Sequence, residues 1–159
     1  MAVISTTALV FLLAFAIWSN LPKVPPEGEV ADQVTRILAG SGPSYSCGYL
    51  HGANVKLTSR GIASGNIDVT CFFMPYRASK RLDEIKMYCT AKLKQLYEEL
   101  PWLKECSFTI KCPYHSRPGG PIEWRQEVSF KFDRSLYEKI DWGKFFYADI
   151  LKVAEDVEF

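Results

Sequence analysis

Two stretches in the second half of the chain alternate with a strict period of two, and this restricts the fold more than any other feature. Cys106, Phe108, Ile110 and Cys112 share one parity, against Ser107, Thr109 and Lys111 on the other. Over Glu123–Asp133, Trp124, Gln126, Val128, Phe130 and Phe132 oppose Arg125, Glu127, Ser129, Lys131 and Asp133. A strand turns successive side chains to opposite faces, so each stretch presents one apolar and one wet face, as antiparallel sheets do. Tyr45–Thr58 and Ile67–Met74 read as two more strands. Cys47, Tyr49, Ala53, Val55 and Leu57 share a parity in the first, and Ile67, Val69, Cys71 and Phe73 share one in the second. The intervening SRGIASGN is turn-forming, and Gly52 marks a bulge in the first strand.

Helical spacing takes over elsewhere. Val30, Val34, Ile37 and Leu38 predict a short helix over Glu27–Ala39, ended by Gly40 and Gly42. Leu82, Ile85, Cys89, Leu93, Leu96 and Leu100 predict a long one over Ser79–Leu100, stopped by Pro101, with Lys86, Lys92, Lys94, Glu98 and Glu99 off the apolar stripe. Leu136, Ile140, Phe146, Ile150, Val153 and Val157 predict a closing helix over Ser135–Val157, weakened at Gly143. The expected fold is therefore α+β: a two-layer sandwich with a four-stranded, mostly antiparallel sheet in the order α-ββ-α-ββ-α.

The N-terminus adds an appendage. Ala2–Trp18 holds no charged side chain, and Pro22, Pro25 and Pro26 follow it. Such a run is near the lower length limit for a membrane span, with Trp18 and Lys23 placed as interfacial residues. The segment is expected to be a single-pass transmembrane anchor over 1–20, joined by a proline-rich spacer over 21–28 to one domain over 29–159. The layout resembles the reverse signal anchors of endoplasmic-reticulum enzymes such as cytochromes P450; the resemblance is confined to this segment and implies a signal-anchor topology alone. Lys23 and Arg36 follow the run and no cation precedes it, which puts the main domain on the cytosolic side. The alternative is a cleaved signal peptide, with small residues at Ala14 and Ala16, and a secreted or lumenal domain.

Composition narrows the chemistry. With 19 Lys plus Arg against 18 Asp plus Glu, the net charge is +1, and no global field draws the chain to nucleic acid. The five cysteines, Cys47, Cys71, Cys89, Cys106 and Cys112, are an odd number, and no CxxC occurs. They are disulfide candidates or small core side chains. Cys106 and Cys112 lie about 20 Å apart on one extended strand and cannot bond to each other. His51 and His115 lie in no metal-binding spacing. No nucleophile elbow, phosphate loop or dinucleotide motif appears, so no catalytic residue, metal or cofactor is expected.

Three surface features remain. Arg77, Lys80 and Arg81 precede and open the long helix, where they suit an anion such as a phosphate or a lipid headgroup. Tyr114, His115 and Arg117 begin a long loop, and Trp142, Phe145 and Phe146 crowd the closing helix; both suit a protein partner. The expected function is a non-catalytic, membrane-tethered accessory or assembly subunit that binds another, membrane-associated protein. A small ligand-binding domain released by signal cleavage and a cysteine-dependent enzyme are the alternatives.

Overall fold

The computed structural model describes residues 6–40, 48–117 and 119–159. Helices α1 (Thr6–Asn20) and α2 (Glu27–Ala39) come first, followed by strands β1 (Tyr49–Arg60) and β2 (Gly65–Met74). A 3-10 turn at Ala78–Lys80 leads into α3 (Arg81–Glu99), then β3 (Leu103–His115) and β4 (Ile122–Asp133). The short α4 (Arg134–Lys139), a second 3-10 turn, α5 (Ile150–Val153) and β5 (Glu155–Glu158) close the chain.

The sheet has five strands in the order β1-β2-β3-β4-β5. Hairpins make β1–β2 and β3–β4 antiparallel, β5 returns antiparallel to β4, and β2 runs parallel to β3. The fold is α+β as expected, but the sheet is mixed and carries one strand more. The parallel pair follows from α3, because a 19-residue helix between neighbouring strands carries the chain back to start the next strand from the same end. The bulge expected at Gly52 is present as a register shift between Leu50 and Gly52.

The expected closing helix breaks into pieces. Asp133 caps α4 by accepting from the Leu136 amide (2.7 Å), and Ile140 is already extended. The Asp141 carboxylate then accepts from the Gly143 amide (3.1 Å), and its carbonyl accepts from Lys144, so this turn competes successfully with helix. Chain that would have formed the last two turns instead makes α5 and β5.

The expected membrane anchor is also corrected. α1 has 15 residues, about 22 Å at the α-helical rise, against roughly 30 Å of hydrocarbon. It ends at Asn20, ahead of Pro22, with the Ser19 and Asn20 side chains donating back to the Ala16 carbonyl. Among the described residues no helix is long and apolar enough to cross a membrane. The single-pass localisation, the signal-anchor topology and the cytosolic sidedness drawn from Lys23 and Arg36 fall with the span.

One face of the sheet is dry. Ile67, Val69, Cys71 and Phe73 of β2, Cys106, Phe108, Ile110 and Cys112 of β3, and Val128, Phe130 and Phe132 of β4 are all buried beneath the helices. α2 closes over β1 with Val30, Val34, Ile37 and Leu38. α3 buries Ile85, Cys89, Leu93 and Leu96 as its periodicity requires, and it also buries Glu84 and Lys92, each 1% exposed. These two charges are spent on main chain. Glu84 accepts from the amides of Gly48 (3.1 Å), Tyr76 (2.7 Å) and Arg77 (3.2 Å). Gly48 is required there, since a Cβ would sit 2.0 Å from the Met74 carbonyl oxygen. The Lys92 ammonium donates to the carbonyls of Ile37 (2.8 Å) and Gly40 (2.7 Å), capping the C-terminal end of α2, where a cation is also favoured by the helix dipole. Arg134 does the same for the end of α3, donating to Leu100 and to Leu103 (2.8 Å each).

Lys92→Met keeps the length of the side chain but leaves two buried carbonyls short of a charged donor. It should lower the unfolding free energy by about 2–3 kcal/mol, read from the urea midpoint. An unchanged midpoint would show that the ammonium is not part of what seats α2.

Candidate functional site

The cationic residues at the start of α3 do not form a free anion cradle. Arg77 Nε lies 3.4 Å from Glu84 Oε1, and Arg81 Nη1 lies 3.1 Å from Glu127 Oε2. Lys80 remains exposed. The fold instead joins Arg81 to Tyr114, which the sequence places in a separate feature. Arg81 donates to the Tyr114 hydroxyl, which donates to Glu127 Oε2 (2.7 Å). The Arg81 guanidinium lies 4.5 Å from the Tyr114 ring centroid and that of Arg125 lies 5.4 Å from it. Bonding to Glu127 holds the Tyr114 phenol above its ordinary pKa. The result is a charge network that ties the start of α3 to the β3–β4 hairpin, with the Arg81 Nε left without an acceptor.

The remaining loop candidates stay at the surface. His115 and Arg117 are exposed, and His115 Nδ1 lies 3.2 Å from the Gly120 carbonyl oxygen. The aromatic candidates near the C-terminus divide. Trp142 packs at 6.3 Å from Phe132 and 5.3 Å from Tyr137, donating its indole N–H to the Tyr137 carbonyl, with Phe145 against it at 5.5 Å. Phe146 alone is exposed, at 58%. Loop and C-terminal aromatics do not make one surface: Tyr114 pairs with Glu123 at the start of β4, while Trp142 sits by Phe132 near its end, about 30 Å away along the strand. Trp18 is exposed on α1, and Lys23 is exposed beyond it.

The described cysteines are core side chains. Cys71, Cys89, Cys106 and Cys112 are buried and unpaired, and Cys47 lies outside the described residues. Burial pushes the Cys71 and Cys112 thiols up to about 12, and those of Cys89 and Cys106 well above the usual range. A thiol so held is protonated at neutral pH and is a poor nucleophile. Among the described residues no group of histidine, cysteine and carboxylate side chains is arranged to hold a metal ion.

The feature missed from the sequence is a ring cluster on the wet face of the sheet. Asn54, Lys56, Asp68, Thr70, Ser107, Thr109, Lys111, Ser129 and Lys131 alternate with the buried strand residues, and none of them is itself buried. At one end of this face His51 stacks on Trp124 (5.3 Å) and Phe72 meets the same indole edge-on (5.2 Å), spanning β1 to β4. At the other, Ser107, Thr109, Ser129, Lys131, Asp156 and Glu158 line a depression of about 450 Å³. Strict alternation puts Trp124 and Gln126 on the same face as Val128, Phe130 and Phe132; the extra residue Glu127, between Val128 opposite Ile110 and Gln126 opposite Lys111, turns them to this face instead. No protein-family model, curated protein or solved structure matches the chain.

The raised thiols imply a pH dependence. In the unfolded chain each ionises at about pH 8.5, whereas Cys71 and Cys112 keep their protons to about 12 when folded. Between those values the unfolded state binds fewer protons, so stability falls with rising pH, by up to about 1.4 kcal/mol per unit for each thiol. Urea midpoints measured across this window should decline, and Cys71→Ala should flatten the decline. A slope untouched by that change would assign it to other groups.

Proposed function

We propose that this protein is a non-catalytic accessory subunit that binds another protein, with α1 as one of its contact elements. The observation behind the reading is the exposure of α1: Val10, Phe15, Ile17 and Trp18 are 63%, 71%, 64% and 63% accessible. A helix of this length is marginal on its own in water, and apolar side chains displayed together mark a surface that another molecule covers. The tilted pair Tyr49 and Tyr76, and Ile122, add exposed apolar area at one end of the sheet. The protonated, buried thiols weigh against the cysteine-enzyme alternative. The reading requires no membrane span.

Full-length protein isolated gently from its native source, cross-linked and sized, should elute above its monomer mass with a protein cross-linked near Lys23. Phe15→Glu together with Ile17→Glu should return it to monomer size while leaving its unfolding transition unchanged. Elution of the unaltered chain as a free monomer, with nothing attached, overturns the proposal.

A further inference from the structure

Both edge strands of the sheet are irregular. β1, at one edge, carries two register shifts, at Leu50/Gly52 and at Leu57/Ser59. β4, at the other, has one shift against β3, where Glu127 is the extra residue between Gln126 and Val128, and one against β5, between Ser129 and Lys131. Its outer side is covered by β5 alone, and only in part: Ser129 pairs with Glu158 and Lys131 with Glu155, while Ile122–Val128 have no strand beyond them among the described residues.

β5 is lightly held. It has four residues, of which Glu155, Asp156 and Glu158 are exposed. Asp156 has a φ of 49°, a left-handed conformation uncommon for a residue with a side chain. Its carboxylate meets Lys131 Nζ at 2.7 Å, but the two side chains are 66% and 46% exposed, and such surface pairs contribute little. Val157 is the one β5 side chain that packs against the core.

We propose that the outer edge of β4 is a strand-docking edge that β5 occupies in cis and that takes, in its place, an acidic β-strand of a partner protein. The chemistry of the occupant is read from β5 itself, whose sequence is Glu-Asp-Val-Glu. It places carboxylates beside Lys131 and a branched apolar side chain against the core. An incoming strand running the same way would continue past Glu158 along Ile122–Val128, satisfying amides and carbonyls that β5 leaves to water. The inference rests on the protein-binding reading only in taking the occupant to be protein, and it uses no property of α1.

The test uses the full-length chain, isotopically labelled, and a synthetic peptide of residues 154–159. Asp156→Lys and Val157→Asp should each strip hydrogen-exchange protection from β5 while the other strands keep theirs. Both variants should bind the peptide about tenfold more tightly than the unaltered chain, since an edge already filled binds in proportion to the fraction that is open. Shifts should be confined to Ile122–Lys131, and a peptide with lysines in place of its acids should not bind. The proposal is overturned if β5 stays protected in both variants, if the opened edge ignores the peptide, if the shifts fall elsewhere, or if the lysine peptide binds equally. Because no natural partner enters the measurement, its result stands apart from whether α1 holds a partner.

Discussion

Glu84 and Lys92 lie eight residues apart on α3, and the arrangement of both layers depends on where their charges go. Burying a carboxylate or an ammonium is costly unless its hydrogen bonds are replaced. Here each is replaced by main chain from another element: the start of β1 and the end of β2 for Glu84, and the end of α2 for Lys92. Tyr88, between them, adds a bond from its hydroxyl to the Leu38 carbonyl (3.2 Å). One ridge of α3 thus fixes α2 and the β1–β2 hairpin by directional bonds, while the ridge beside it, Ile85, Cys89, Leu93 and Leu96, fixes the sheet by packing. Hydrophobic contact alone would seat α3 on β2 and β3 with some freedom to slide. The polar ridge removes that freedom, because any shift strands a charge.

This explains how a sheet of mixed direction is held by so few helices. A parallel pair needs cover where its crossover passes, and α3 supplies it above β2 and β3. The antiparallel strands outside that pair can leave one side to water. The wet face is accordingly a grid of Thr, Ser, Asn and Lys, with Lys56 opposite Asp68 and Ser107 opposite Lys131. Its aromatic cluster departs from that rule. Phe72 and Trp124 belong to strands two apart, yet they meet because β3 between them turns Lys111 and Pro113 to this face rather than a bulky ring. Self-association of the rings hides much of their apolar area on a surface that would otherwise expose it.

The parts of this fold legible in the sequence are those in which one residue's burial predicts its neighbours' burial. β3 and the second half of β4 are readable because both faces declare themselves every two residues, and the Gly52 bulge because glycine punctuates a strand; the extra residue Glu127, which no glycine marks, turns Trp124 and Gln126 to the face opposite the one that alternation gives them. Strand direction is not readable, since an alternating segment looks the same read towards or away from its neighbour; only the helix-length connection between β2 and β3 bears on it. β5 escaped because four residues contain no period. Leu136, Ile140, Ile150 and Val153 have the spacing of one closing helix, yet they pack against the core from two short helices, α4 with Ile140 at its end and α5, with an Asp-Trp-Gly turn between. For α1 the absence of charge and the end of the helix before Pro22 are visible; the length of helix described, 15 residues, is not.

The candidate site shows the same limit more sharply. Arg81 and Tyr114 were each conspicuous, one as a cation at a helix start and the other as an aromatic at a loop, and each looked available to a ligand. Their availability was an artefact of sequence distance: 33 residues separate a donor and an acceptor that fold into contact, with Glu127 completing the set. Lys92 erred in the opposite direction. It sits on the shoulder of an apolar stripe, where a lysine usually extends to solvent, and only the position of the α2 C-terminus over it turns that shoulder inward. Charged residues are therefore poorly placed by periodicity in both directions. Their environment is set by the main-chain ends of other elements, and those ends are located by topology, the property that local sequence patterns specify least.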